Sequence, residues 1–424
     1  MKRIFSVCAA AILLCTNFSA GAPLGCTGIF ASADDSGSCG ESANWQLQDG
    51  VLTISGTGTM TSAPWRSNDS KKQSVKKVVI KKGIESICKS AFEGCKNITN
   101  ISIPNTVTTI GASAFNACSS LSTISLPDSV AKIGSSAFYN CSGLKDVILP
   151  YELTVIENYT FYGCSSLSSV EFPPSMTEIR NYAFSHCTAL STVDLTGSLK
   201  KIGEAAFSES GLTSVTVPGN ITSVGNHAFE GCKLLRYAMI EPGISRVSEA
   251  MFKNCIALEA VSIPETVTSV VYSFQGCSVL KSIEFPASVD KLMNPLDCCP
   301  DLQEVYIYNP NCRITDGLGS VSLTAPLKAA VFGYDNSTAQ SYALQNALTF
   351  NSLGAAPVVE KPAGDLNEDN RVTVQDAILL ARIITEDKTL QATQGMINAA
   401  DVNKDGQIDI DDTVFLLKKI AGTQ

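Results

Sequence analysis

Residues 114–136 read AFNACSSLSTISLPDSVAKIGSS, and residues 137–159 read AFYNCSGLKDVILPYELTVIENY. The two stretches are one 23-residue pattern written twice. Its opening pair, an aromatic followed three residues later by Cys, recurs at Phe92/Cys95, Phe115/Cys118, Phe138/Cys141, Phe161/Cys164 and Phe184/Cys187. It continues at Phe207, where Ser210 replaces Cys, then at Phe229/Cys232, Phe252/Cys255 and Phe274/Cys277, and closes on a degenerate copy from Leu296 to Cys299. After each Cys comes Leu-x-x-Val/Ile-x-apolar, usually followed by Pro, as from Leu121 to Pro127 and from Leu280 to Pro286. The alternation is that of a strand with one buried face. Proline ends it, because it has no N–H to give to a ladder. One such unit cannot bury its own apolar residues, but stacked copies can. The expectation is an α/β repeat solenoid over residues 76–353 with a parallel β-sheet along one side. Equivalent residues then form Phe, Leu and Cys columns at a spacing of about 4.8 Å.

This pattern resembles the leucine-rich repeat of the bacterial surface-antigen type, often called BspA-like, over roughly residues 76–310. A stack of this kind needs its ends covered. Residues 34–75 carry a hairpin signal at Asp49-Gly50 and both tryptophans, Trp45 and Trp65, and read as an N-terminal β cap that plugs the open core. At the other end Ala330–Tyr334 reads as a last strand, and Ser337–Asn346 as a closing helix.

The chain has sixteen cysteines. In a secreted protein that number points to disulfides, yet most fall in the repeat column. Parallel Cβ vectors on neighbouring turns keep Cβ atoms about 4.8 Å apart, beyond the usual 3.5–4.5 Å of a disulfide. Ser210 in one copy also points to a packing role. Free buried thiols acting as small hydrophobes are therefore expected.

Beyond the stack, residues 354–362 contain two prolines and no apolar period, and read as a short, stiff linker. Two twelve-residue loops follow, thirty-six residues apart. The first offers Asp365, Asn367, Asp369, Arg371, Thr373 and Asp376 at positions 1, 3, 5, 7, 9 and 12. The second offers Asp401, Asn403, Asp405, Gln407, Asp409 and Asp412. Oxygen side chains at positions 1, 3, 5, 9 and 12, with a backbone carbonyl from position 7, form the hard-oxygen set that wraps a calcium ion. Two calcium ions are expected, one per loop. Asn370 and Gly406 at position 6 tolerate the left-handed backbone required there. Val372 and Ile408 at position 8 are apolar and would pair the loops. Each loop runs into an apolar helix, Ala377–Ile384 and Thr413–Ala421.

The duplicated loop-then-helix unit with Asp at position 12 resembles the type I dockerin, here an all-α calcium-binding module over residues 363–424. The resemblance implies a cohesin domain on a scaffoldin as partner, as in a cellulosome. It implies contacts from Val374, Gln375, Ala381 and Arg382 in the first copy and from Ile410, Asp411, Leu417 and Lys418 in the second. The Ser-Thr pair frequent at these positions in the family is absent from both copies.

Bulk properties bound the function. Net charge is −9, which excludes nucleic acid as a natural partner, since phosphate neutralisation needs a basic surface. Residues 363–424 hold eleven acidic and six basic side chains, a concentration that calcium ligation explains. Lys2 and Arg3 before the apolar run Ile4–Leu14 read as a signal peptide over residues 1–33, cleaved after Ala33 or Ala20. Secretion is thus expected, with cell-surface or cellulosome association and no membrane span. Only two histidines exist, His186 and His227, and both read as surface-loop residues. No phosphate-cradling loop and no zinc-type cluster stands out. Two function classes follow. One is a non-catalytic binding or adhesion protein whose solenoid recognises a protein or polysaccharide. The other is a glycoside hydrolase with unrecognised carboxylates, with a structural or inhibitory subunit as a weaker third. Tyr139, Tyr162 and Tyr182, on successive turns, read either as a sugar-binding stripe or as packing at the edge of the core.

Overall fold

The computed structural model describes residues 35–195, 197–322, 325–357, 363–367, 372–386 and 390–422. The expected signal segment and residues 358–362 of the linker lie outside these. The chain divides into two compact units. One is the repeat stack through Ile283 with Lys291–Leu302 and Thr315–Leu327. The other is Glu284–Asp290, Gln303–Ile314 and the chain from Lys328 onward.

The first unit opens on three strands, β1 (Ser36–Ser38), β2 (Ser42–Gln48) and β3 (Val51–Thr59). β2 and β3 pair antiparallel around Asp49-Gly50, where both residues have positive φ, 51° and 78°. That is the turn whose twist matches flanking strands. β1 adds to the other side of β2. A short helix, α1 (Asp69–Ser74), follows, capped by Asn68. Trp45 meets Trp65 edge-on at 5.9 Å, and Trp65 stacks on Phe92 at 5.7 Å. The indole N–H of Trp65 donates to the Ala91 carbonyl, so the plug is bonded as well as packed.

From Phe92 to Phe274 nine phenylalanines stack face to face, with centroid spacings from 5.2 Å to 5.7 Å. All are fully buried. These centroid spacings exceed the roughly 4.8 Å between strands of a plain ladder. On one side of this column runs the expected ladder of short parallel strands, such as Lys77–Ile80 with Asn100–Ser102 and Ser214–Val217 with Tyr237–Ile240. A second parallel ladder, absent from the expectation, runs through the Ile-Gly step of each repeat, for example Thr109–Ile110 with Lys132–Ile133. Two residues per turn are too few to show alternation in the sequence.

No described residue between α1 and the closing helix is helical; the remaining side is built of turns. The reason is a pair of left-handed residues in most copies. One precedes the Ala of Ala-Phe, as at Ser113 and Ser136, and one precedes the Cys, as at Ala117, Asn140, Gly163 and Gly231. Two left-handed residues four apart, as at Ser113 and Ala117, interrupt any right-handed helix.

The first ladder lapses between Asp146–Ile148 and Ser214–Val217: the corresponding residues 168–172 and 191–195 carry no strand. Pro174 there adds a second proline to the one that ordinarily ends the strand, and Phe172 turns edge-on to Phe184. A cleft of about 600 Å³ opens beside Ile148, Tyr151, Phe172 and Pro173.

In the second unit Glu304–Ile307, Ala330–Gly333 and Phe350–Ser352 pair in parallel. Helix α2 (Thr338–Gln345), capped by the Ser337 side chain, lies between the last two strands in sequence. The C-terminal module holds α3 (Val374–Ile384), α4 (Gln394–Ala400) and α5 (Ile410–Ile420). Its core is Leu366, Ala377, Leu380, Ala400, Val402 and Leu416.

Candidate functional site

In each copy of the C-terminal module the Asp at position 12 organises the loop. Asp376 is fully buried. Its Oδ1 accepts from the backbone N–H of Leu366 at 2.9 Å and of Asn367 at 3.1 Å. Its Oδ2 accepts from the Thr373 N–H at 2.8 Å. Asp412, also fully buried, repeats this arrangement with Val402, Asn403 and Asp409 at 2.8, 3.1 and 3.0 Å. The same carboxylates complete capping boxes at the starts of α3 and α5, with Thr373 and Asp409 as N-caps. This explains why both helices begin three residues before the expected Ala377 and Thr413. Position 9 is the cap and position 12 the third residue of the first turn. Helix α4 was not anticipated. Thr393 caps it, and it runs directly into Asp401 at position 1 of the second loop.

The second loop is described throughout. Asp401 accepts from the N–H of Asp405 and of Gly406, Asn403 Oδ1 from Asp405 N–H, and Asp405 Oδ1 from Gln407 N–H. Gly406 has φ +87°, with open space where a Cβ would stand. In the first loop Asp365 is buried, and Asn367 and Thr373 are partly so. Asp369 and Arg371 lie outside the described residues. Among the described residues no three His, Cys, Asp or Glu side chains are gathered as a metal site. The donor chemistry nevertheless fits calcium. Every side chain at the ligand positions of the second loop offers a hard oxygen, and buried anions such as Asp412 require a counter-charge that amide dipoles supply only in part. Val372 and Ile408 pack against the module's core.

The eight expected contact residues fall on α3 and α5. Val374, Ile410 and Leu417 are apolar yet 55%, 63% and 44% exposed. Gln375, Asp411 and Lys418 are exposed, and Ala381 and Arg382 half-buried. Residues missed by sequence reasoning complete the picture: Ile378, Val414 and Phe415 are exposed apolar side chains too. Val374-Ile378-Ala381 and Ile410-Val414-Leu417 each follow the i, i+4, i+7 spacing of one helix face. The signal was present as the same apolar type thirty-six residues apart at 378 and 414.

The tyrosine stripe requires correction. Tyr139 stacks on Tyr162 at 4.8 Å, while Tyr182 stacks on Tyr159 at 4.9 Å. These are two columns, not one, because Tyr139 and Tyr162 follow the Phe whereas Tyr159 and Tyr182 precede the Ala-Phe position. Within each pair the facing ring surfaces are spent on one another. His186 and His227 are partly exposed. His186 Nδ1 lies 3.3 Å from Glu209 and His227 Nδ1 2.6 Å from Glu230.

The cysteine column carries no site chemistry. None of the thirteen cysteines among the described residues is joined in a disulfide. Cys118, Cys141, Cys164 and Cys187 each donate an S–H to the Phe carbonyl of the turn before, at 3.0–3.2 Å. Burial pushes the thiols of Cys95, Cys141 and Cys299 up to about 12, which removes the thiolate that reactivity requires.

Four overlapping stretches spanning residues 69–351 match the model of the BspA type leucine-rich repeat region. Residues 363–421 match the type I dockerin domain, a domain that binds calcium. No curated protein matches the chain. Among solved structures, a leucine-rich repeat protein from Bacteroides ovatus is 20% identical, over 74% of this chain and 98% of that one, with a TM-score of 0.53. A leucine-rich cell surface protein from Faecalibacterium prausnitzii is 24% identical over the same shares, with a TM-score of 0.40. The first likeness bears on the fold alone.

Proposed function

This chain belongs to the BspA-type leucine-rich repeat proteins and ends in a type I dockerin domain, and from that premise we propose that it is a secreted, non-catalytic binding component of a cellulosome. The dockerin engages a scaffoldin cohesin in a calcium-dependent manner, and the solenoid holds a protein or polysaccharide. The observation that carries the reading is the exact internal duplication of the loop-and-helix geometry around Asp376 and Asp412, with an exposed apolar stripe on each following helix.

Two calcium ions would be held by Asp365, Asn367, Asp369, Thr373 and Asp376, and by Asp401, Asn403, Asp405, Asp409 and Asp412, with the backbone carbonyls of Arg371 and Gln407. Bound calcium supplies the positive charge that lets these carboxylates share a loop. The chain's own residues do the rest. The capping boxes start α3 and α5, and the helices present Val374, Gln375, Ala381 and Arg382, and Ile410, Asp411, Leu417 and Lys418, to the cohesin.

Titration calorimetry of the full chain against a panel of type I cohesins, with calcium and then with chelator, tests the docking. Binding in calcium that vanishes with chelator is expected; calcium-independent binding, or none across the panel, would sink it. Reducing-sugar release from cellulose or xylan would overturn the non-catalytic reading and favour the glycoside hydrolase.

A further inference from the structure

The outward face of the first ladder is mostly small and polar: Thr123 and Ser125, Ser214 and Thr216 all point to solvent. Two strands depart from this. Asp146–Ile148 presents Ile148, 65% exposed, and Tyr237–Ile240 presents Met239, 51% exposed. The two residues share one column. Ile148 is partnered in register with Ser125 and Met239 with Thr216, and between them the repeat places Glu171 and Asp194. Four turns separate the apolar ends, a span of about 19 Å at the ladder spacing. Asp128, Asp146 and Glu171 line the cleft beside Ile148, which has no cation in its lining. The face therefore reads apolar, acidic, apolar.

We propose that this face, from Ile148 to Met239, docks a protein segment with a basic centre and an apolar residue at each end. The inference rests on the solenoid being a binding arm and names its ligand class. Charge selects the centre: Glu171 and Asp194 lie between the apolar ends, with Asp128 and Asp146 beside the Ile148 end of the span, a set that favours Lys or Arg. At the two ends Ile148 and Met239 are aliphatic, which suits apolar side chains better than sugar rings; Tyr151, 60% exposed, is the aromatic face that the cleft offers beside them. The aromatic neighbour Tyr237 already has the Arg236 guanidinium 5.4 Å from its ring centre, and its hydroxyl is bonded to Glu259. A segment of about 13 helical residues, or about 6 extended ones, spans the distance.

The test is selection of a displayed library of random peptides of about 15 residues on the full calcium-loaded chain. Three variants accompany it: Ile148→Ser with Met239→Ser, Asp146→Asn with Glu171→Gln, and Ile256→Ser as a control on a different exposed edge. Peptides with a basic centre and apolar ends are expected. They should bind at least about tenfold more weakly to the first two variants, as truncated interface anchors do, and unchanged to the control, with affinity falling as salt rises. Because the substituted side chains are exposed, the variants should unfold at the wild-type denaturant midpoint. No enriched peptide, peptides without a basic centre, or equal binding to wild type and variants would overturn the proposal. Retention on insoluble cellulose or xylan that is lost in Ile148→Ser/Met239→Ser would also overturn it, in favour of a glycan, while leaving the binding arm intact. Loss of both readouts in the wild type would remove the binding arm itself.

Discussion

Phe161 and Cys164 show how much of this protein is decided by single positions in a column. Phe161 is stacked on both faces, by Phe138 at 5.3 Å and Phe184 at 5.3 Å. Phe161→Ala would open a cavity bounded by two rings that the flanking turns hold in place, and should cost about 3–5 kcal/mol in chemical denaturation. Cys164→Ser should cost only about 1 kcal/mol or less, since a hydroxyl can make the bond that the thiol donates to the Phe138 carbonyl, and the chain itself uses Ser210 at the equivalent place. A loss as large as that of Phe161→Ala would mean that the column depends on sulfur packing. The thiols also set an alkaline limit. Burial raises them, so the fold favours the neutral form. Their contribution is complete below the ordinary thiol value of about 8.5 and is lost as the pH climbs from there toward about 12. The melting temperature in reducing buffer should be flat from about pH 6 to 8 and fall above about 9; a flat profile through pH 10 would contradict the burial. The phenylalanine and cysteine columns were legible in the sequence because each residue recurs at the same step. The left-handed positions were not, because Ser113, Ala117, Asn140, Tyr159 and His186 share a backbone conformation and no side-chain type. The two tyrosine columns were merged for a related reason. A residue before the Phe and one after it look like neighbours in a repeat but sit at different places on the turn.

At the scale of elements, the apolar stripes on α3 and α5 are alike in kind and unequal in size. The second has Leu417 where the first has Ala381, and Phe415 is exposed beside it. Interface energy concentrates in large apolar anchors. Ile410→Asp with Leu417→Asp should therefore weaken cohesin binding by about a hundredfold or more, and Val374→Asp with Ala381→Asp by about tenfold or less, both read by calorimetry in calcium. Equal losses would mean that either helix can lead, as a half-turned binding mode requires. The two loops and their helices were readable from spacing alone, since oxygen donors at fixed positions leave a mark that few other structures need. The helix starts were misplaced because Thr373 and Asp409 serve as ligand position and N-cap at once, and the sequence shows only the first role. Helix α4 was hidden by Gly395 near its start, a residue that argues against a helix interior. The second ladder of the solenoid escaped notice because a two-residue strand has no period to detect.

For the whole molecule the decisive property is where the charge lies. Residues 363–424 carry five of the nine net negative charges, and three of the module's carboxylates, Asp365, Asp376 and Asp412, are buried. The repeat stack has no such debt. It is held by a column of stacked rings and by backbone ladders, neither of which involves an ion. Removing calcium should then act on one part of the chain and spare the other. Scanning calorimetry of the full chain in calcium should give two transitions. Addition of chelator should abolish or lower by more than about 10 °C the one belonging to the C-terminal module, since metal binding energy in such loops is folding energy. The solenoid transition should stay where it was. Far-ultraviolet circular dichroism should lose helix signal in step, because most of the described helix lies in α3, α4 and α5. If both transitions shift together, the two parts do not fold independently; if neither moves, the loops hold their shape without an ion, and backbone amides alone satisfy Asp376 and Asp412.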